Sequence, residues 1–184
     1  MAIFDTKAGY GLLTRLLHWI MALGILAMFA LGLWMVTLSY YSPYYRTAPD
    51  IHRSVGMLLL LMLVVRFGWR LANPKPGVGE LSPFERSAAP IVHWGFYPLL
   101  FALMVSGYLI STADGRPIEV FDWFSVPSLV RRKGLEETAG EVHEVLAWVT
   151  IAVVVLHAAA SLKHHFVDRN SILTRMWSGP PSAS

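Results

Sequence analysis

The run Val142-His143-Glu144-Val145-Leu146-Ala147-Trp148-Val149-Thr150-Ile151-Ala152-Val153-Val154-Val155-Leu156-His157 decides how this chain folds, because it is a long apolar stretch with an imidazole near each end. The two histidines are fourteen positions apart. On an α-helix that spacing leaves them about 40° apart on one face and about 21 Å apart along the axis. A single helix thus presents two potential ligands at two levels. Stretches of this kind recur along the chain. Apolar runs cover about 12–38, 55–71, 91–110 and 145–162, and with their flanking residues the expected spans are 12–38, 52–71, 91–111 and 142–162. Each approaches the roughly 20 residues needed to cross about 30 Å of hydrocarbon.

Composition agrees: of 184 residues 55% are hydrophobic and only 15% charged, with a mean hydropathy of +0.50, so the lipid bilayer is the expected solvent. The predicted fold is all-α, an integral membrane four-helix bundle. Its spans leave only three loops and short tails, so residues 1–184 read as a single transmembrane domain. Lys7 and Arg15 ahead of the first apolar run resemble a signal peptide's start, but that run is too long and three more follow it. Asn73-Pro74-Lys75-Pro76-Gly77 ends the second span, Pro98 lies inside the third, where a kink is expected, and Ser178-Gly179-Pro180-Pro181 reads as a disordered end. With no cysteine in the chain, disulfides, iron–sulfur clusters and covalently attached haem are excluded. No nucleic-acid partner is expected.

Four spans put both termini on one side. Lys7, Arg15, Arg66, Arg70, Lys75, Arg86, Lys163, Arg169 and Arg175 share the side of the termini, against Arg46, Arg53, Arg116, Arg131, Arg132 and Lys133 on the other. The positive-inside rule therefore places both termini in the cytoplasm. The 112–141 loop then lies outside as a cap over the membrane face. The outer groups sum to −2 and the inner to +5, together the chain's +3.

Ligating residues within apolar spans are costly and point to function. His18 lies at the inner end of the first span and His157 at the inner end of the fourth, while His52 and His143 share the outer level. Matching by depth gives the pairs His18/His157 and His52/His143, each able to hold a haem iron by both axial positions. Bis-imidazole ligation leaves iron no open site and suits outer-sphere electron transfer. Any one histidine in isolation reads as a hydrogen-bonded interfacial residue; four matched by depth read as ligands. Gly56 and Ala158-Ala159-Ala160 leave room for a flat macrocycle, or equally for close helix packing. Haem carries two carboxylates, for which Arg15, Arg53 and Arg70 lie at suitable levels, although each also suits an interface anchor. His164, seven residues past His157 and about 20° off the same face, suits either a quinone carbonyl or the boundary itself. His93 and His165 read as boundary residues.

These residues resemble the bacterial di-haem cytochrome b561 proteins, relatives of the cytochrome b subunits of nickel–iron hydrogenase and formate dehydrogenase. The resemblance covers nearly the whole chain and rests on Arg15-Leu16-Leu17-His18-Trp19, Asp50-Ile51-His52-Arg53-Ser54-Val55-Gly56, Val64-Val65-Arg66, Val92-His93-Trp94, Val142-His143-Glu144 and Leu156-His157-Ala158-Ala159-Ala160-Ser161-Leu162-Lys163-His164-His165. The family's ligands fall on His18, His52, His143 and His157, the pairing reached from depth. The resemblance implies two haems b, ubiquinone as membrane electron carrier, a bacterial inner-membrane location and, for one branch, oxidation of periplasmic superoxide, that is, a superoxide:ubiquinone oxidoreductase. Gly32-Leu33-Trp34-Met35-Val36-Thr37-Leu38-Ser39-Tyr40-Tyr41 and Tyr108-Leu109-Ile110-Ser111-Thr112-Ala113-Asp114-Gly115 are similar to a paralogous branch, for which a periplasmic lipocalin-like quinone-binding protein is the implied partner. A net negative outer face argues against steering of an anionic substrate, unless Arg53, Arg116 and the basic triplet at 131–133 form a local funnel. Three classes stay open: a superoxide-oxidising enzyme, a non-enzymatic anchor wiring a periplasmic partner to the quinone pool, and a bundle without cofactor.

Overall fold

The computed structural model describes residues 2–74, 76–77 and 81–179; Lys75 of the second loop and the tail from Pro180 lie outside the described residues. Four long helices dominate it: α1 (Leu12–Met35), α2 (Thr47–Ala72), α3 (Pro83–Thr112) and α4 (Leu135–Phe166). A β-hairpin, β1 (Ile118–Val120) and β2 (Phe124–Val126), interrupts the loop between α3 and α4, and a short α5 (Ile172–Trp177) follows α4. All four long helices are apolar enough to cross a membrane, and at most 17% of any 18-residue apolar window is buried inside the chain. Leu23, Leu33, Leu61, Phe101, Val155 and Leu156 are all exposed. Apolar surface on that scale requires lipid around it.

The helices pack in sequence, α1 on α2, α2 on α3 and α3 on α4. A cluster of Met21, Ile25, Leu63 and Leu100 joins the first three near mid-depth, and a Cβ on Gly24 would come within 2.9 Å of Leu59, so that glycine sets how closely α1 and α2 approach. Trp69 Nε1 donates to Thr14 Oγ1 at 2.8 Å across the same pair. By contrast, α4 makes no comparable backbone approach to α1 or α2. The seam opposite α3 is bridged by side chains.

Element ends differ from the apolar runs for local reasons. The third helix begins at Pro83, well before residue 91, because Ser82 and Glu85 form a reciprocal capping box with proline at the first position; Ser82 N–H donates to Glu85 Oε2 at 3.0 Å. Both Pro90 and Pro98 are therefore internal to it. The fourth begins at Leu135, after Gly134 turns with φ 82°, with Glu136 and Glu137 in the first turn, where the helix dipole favours negative charge. This shortens the expected 112–141 loop by more than one helical turn.

What remains of that loop is tied down. Ile118 and Val120 are buried against Tyr108, Met57 and Leu58. Buried Ser54 donates to the Glu119 carbonyl and accepts from Phe121 N–H, both at 3.2 Å. Tyr108 Oη donates to the Pro127 carbonyl at 2.7 Å and accepts from Leu129 N–H at 2.8 Å. The turn between the strands holds Phe121 and Asp122 at φ 47° and 59°, left-handed conformations that cost a bulky residue about 1 kcal/mol or more. At the opposite end, α5 is hung from α1: Arg15 Nη1 donates to the Trp177 carbonyl at 3.0 Å and Trp19 Nε1 to the Met176 carbonyl at 3.1 Å.

Candidate functional site: two histidine pairs at two levels

On the hairpin side, His52 at the start of α2 faces His143 near the start of α4, with ring centroids 6.2 Å apart and planes at 74°. On the side of the termini, His18 of α1 faces His157 of α4 at 6.3 Å and 66°. Two imidazoles sharing one iron from opposite sides hold their centroids about 6.2 Å apart, taking about 2 Å for each metal–nitrogen bond and about 1.1 Å from nitrogen to centroid. Both separations suit an iron. His93 of α3 also meets His157, but at 5.4 Å, too close for the two to hold one iron from opposite sides. The boundary reading of His93 thus misses its contact with His157.

The atoms around the rings bear on the same question. His143 Nδ1 lies 2.9 Å from the Leu103 carbonyl and 3.1 Å from Ser106 Oγ, whose own hydroxyl donates to Leu103 O at 2.7 Å. Both neighbours are acceptors, so Nδ1 carries the proton and Nε2 keeps its lone pair, the state that a carbonyl partner imposes on a metal-binding histidine. His52 Nδ1 is buried with no hydrogen-bond partner among the described residues. A Cβ on Gly107 would approach His143 Cε1 to 3.0 Å, and one on Gly32 would meet His52 Cε1 at 3.4 Å. These two glycines cradle the rings. Gly56, the small residue that sequence reasoning selected, has only the Met28 methyl nearby, at 3.8 Å. Together with the wide α4 seam, the residues present fit a flat iron macrocycle at each level.

The remaining candidates fall at the rims. Arg53 pairs with Asp50 beside a cleft of about 490 Å³ that is also lined by Ser54, Ser111, Arg116, Glu119 and Phe121. Arg116 in turn pairs with Asp114 at 2.6 Å, which holds the Asp114 carboxyl below its usual range. Arg15 is buried, with Nη1 on the Trp177 carbonyl, and Arg70 sits half-buried in the last turn of α2. His164 Nδ1 lies 2.8 Å from Asp168 Oδ2; Lys163 Nζ bridges that carboxylate at 2.9 Å and Glu85 at 2.6 Å. Hydrogen bonds from Lys163 and then His164 hold the Asp168 carboxyl below its usual range. Glu85, His164 and Asp168 could converge on a cation, but the Lys163 ammonium already fills that position.

A family model described as prokaryotic cytochrome b561 matches residues 9–179. The chain belongs to that family. Cytochrome b561 homolog 2 of Escherichia coli (strain K12) is 47% identical to it over 178 residues, covering 96% of this chain and 95% of the relative. A probable superoxide oxidase, CybB of Yersinia pestis, is 30% identical over 162 residues, covering 87% and 90%. Cytochrome b561 homolog 1 of Escherichia coli (strain K12) is 21% identical over 161 residues. The protein is thus a multi-pass bacterial membrane cytochrome of the b type, a haem b binder that works in electron transfer. Sequence reasoning gave Leu103, Ser106, Gly32, Gly107 and Arg66 no place beside the rings, although Arg66 and Gly32 stand in stretches that carry the resemblance and Arg66 is also a cation inside an apolar run.

Proposed function

We propose that this cytochrome carries electrons across the bacterial inner membrane between a periplasmic donor and ubiquinone, with His52/His143 and His18/His157 as the axial ligands of two haems b. The observation that carries this reading is the pair of ring separations, 6.2 and 6.3 Å, repeated at two levels along α4. Haem held there by these histidines would supply one-electron chemistry. The protein's part is to fix the imidazoles, as Leu103 and Ser106 do for His143, and to exclude water from the seam. The hairpin side faces the periplasm and both termini the cytoplasm, supported by the distribution of Lys and Arg. Arg15, Arg53 and Arg70 are the proposed partners for haem carboxylates. His164, backed by Asp168, is the proposed donor to a quinone carbonyl.

Superoxide is the electron donor favoured by the resemblance to CybB of Yersinia pestis. A second reading, a wiring subunit fed by a periplasmic protein such as a lipocalin-like quinone carrier, is favoured by the charge of the hairpin side. There Asp50, Asp114, Glu119 and Asp122 surround Arg53 and Arg116, and both arginines are already paired with carboxylates. An anion gains little steering from such a surface. The purified protein separates the two: rapid haem reduction by superoxide, with turnover of ubiquinone and no partner present, establishes the oxidase, and its absence leaves the wiring role. A preparation with fewer than two haems per chain by reduced-minus-oxidised spectroscopy overturns the ligand scheme.

A further inference from the structure

Arg66 occupies a place where a cation needs a reason. It lies within α2 on the side of the termini, with Nη2 3.2 Å from His18 Nδ1 and Nη1 3.4 Å from the Leu17 carbonyl. A guanidinium has five N–H donors, no acceptor and no neutral form at ordinary pH. The contact with His18 therefore requires Nδ1 to be the acceptor, which puts the ring proton on Nε2, the reverse of the arrangement at His143. Binding a metal through Nε2 needs that lone pair free, so the proton moves to Nδ1, and two donors then face each other. Binding through Nδ1 removes Arg66's acceptor just as surely. Ligation by His18 and the Arg66–His18 hydrogen bond exclude one another.

Once His18 ligates, Arg66 keeps one long carbonyl contact, a hydrogen bond with the Tyr97 side chain and a charge in an apolar span, a costly state unless a counter-ion is at hand. The cofactor that takes His18 brings carboxylates with it, and a planar guanidinium grips a carboxylate by two parallel hydrogen bonds. We propose that Arg66 is the carboxylate anchor of the inner haem: with His18 as a ligand, its guanidinium takes a haem carboxylate in place of the His18 nitrogen. The proposal rests on His18 being a ligand, and it adds a binding residue to the three arginines chosen by depth alone.

The test compares natural haem with haem dimethyl ester, whose carboxylates are masked, in the full-length protein. Loss of the inner haem to apomyoglobin is read as the phase missing from His18→Ala. Arg66→Gln is expected to speed that loss about tenfold with natural haem, the worth of a charged hydrogen bond, and less than twofold with the ester; the outer haem's phase stays unchanged. Arg66→Lys, which keeps the charge without the fork, is expected to lie between. Equal acceleration with both pigments, or none with natural haem, overturns the anchor. Should Arg66→Gln not accumulate, Arg66→Lys is read by the same comparison. If His18→Ala retains two haems, the ligand reading itself has failed, a result distinct from an inert Arg66.

Discussion

His143 gives its Nδ1–H to the Leu103 carbonyl at 2.9 Å, and the ring so held faces that of His52 with centroids 6.2 Å apart. The carbonyl is available because Leu103 lies in α3, the helix along which α4 packs. His143→Ala is expected to remove the outer haem and spare the inner, taking haem content from two per chain to one by pyridine haemochromogen assay. Ser106→Ala leaves the Leu103 bond intact and is expected to retain both haems. Two haems per chain in His143→Ala would refute the pairing.

Gly107 carries the tightest constraint on that ring. A methyl there would come within 3.0 Å of His143 Cε1, closer than carbon atoms pack, while at Gly32 the corresponding approach to His52 is 3.4 Å. Gly107→Ala is therefore expected to lower occupancy of the outer haem, and Gly32→Ala to lower it less, both with the inner haem unaffected. Equal occupancy in the two variants and the parent, by haem-to-protein ratio, would mean the rings have more freedom than the packing implies.

The hairpin depends on one hydroxyl. Ser54 is 3% exposed and holds β1 and the turn that follows it, so Ser54→Ala leaves the Phe121 N–H and the Glu119 carbonyl without their partner, at a cost of about 1–3 kcal/mol. Phe121→Gly acts in the opposite sense by removing the penalty of φ 47°. Hydrogen exchange over 118–126 is expected to quicken in the first variant and slow in the second.

How much of this was legible in sequence varies with the physics involved. That His18 meets His157 and His52 meets His143 was readable, because helical rise converts position into depth and the bilayer forces the helices into register. The glycines that touch the rings were not readable. Gly107 belongs to α3 and its importance lies in a distance to α4, which no local pattern encodes. The early start of α3 was written in Ser82-Pro83-Phe84-Glu85, but its first two turns are polar enough to read as loop when apolar runs define the spans. The hairpin escaped because strands of three residues are too short to show alternation. Arg66 was visible as a charge, yet its conflict with His18 is a matter of which nitrogen it faces.

At the far end of α4, His164 is expected to act on quinone and not on haem. His164→Gln should change the rate of quinone turnover while leaving haem content and spectra as they are; an unaltered rate removes it from the site.

Its partner Asp168 offers a pH test of the same network. Hydrogen bonds from Lys163 and His164 stabilise the ionised carboxyl, so its value in the folded protein lies below the unfolded one. The sign follows: the stabilisation is complete above the unfolded pKa, about 3.9, and is lost as pH falls through the lower folded value. The group is exposed, so the effect is local to the helix end. Hydrogen exchange at residues 163–170, corrected for intrinsic rates, is expected to show protection that holds from neutrality down to about pH 4 and fades below it. Asp168→Asn, which cannot ionise, is expected to lack the protection at neutrality and to show no such fading. A wild-type profile as flat as the variant's would mean that Lys163 spends its time on Glu85 alone.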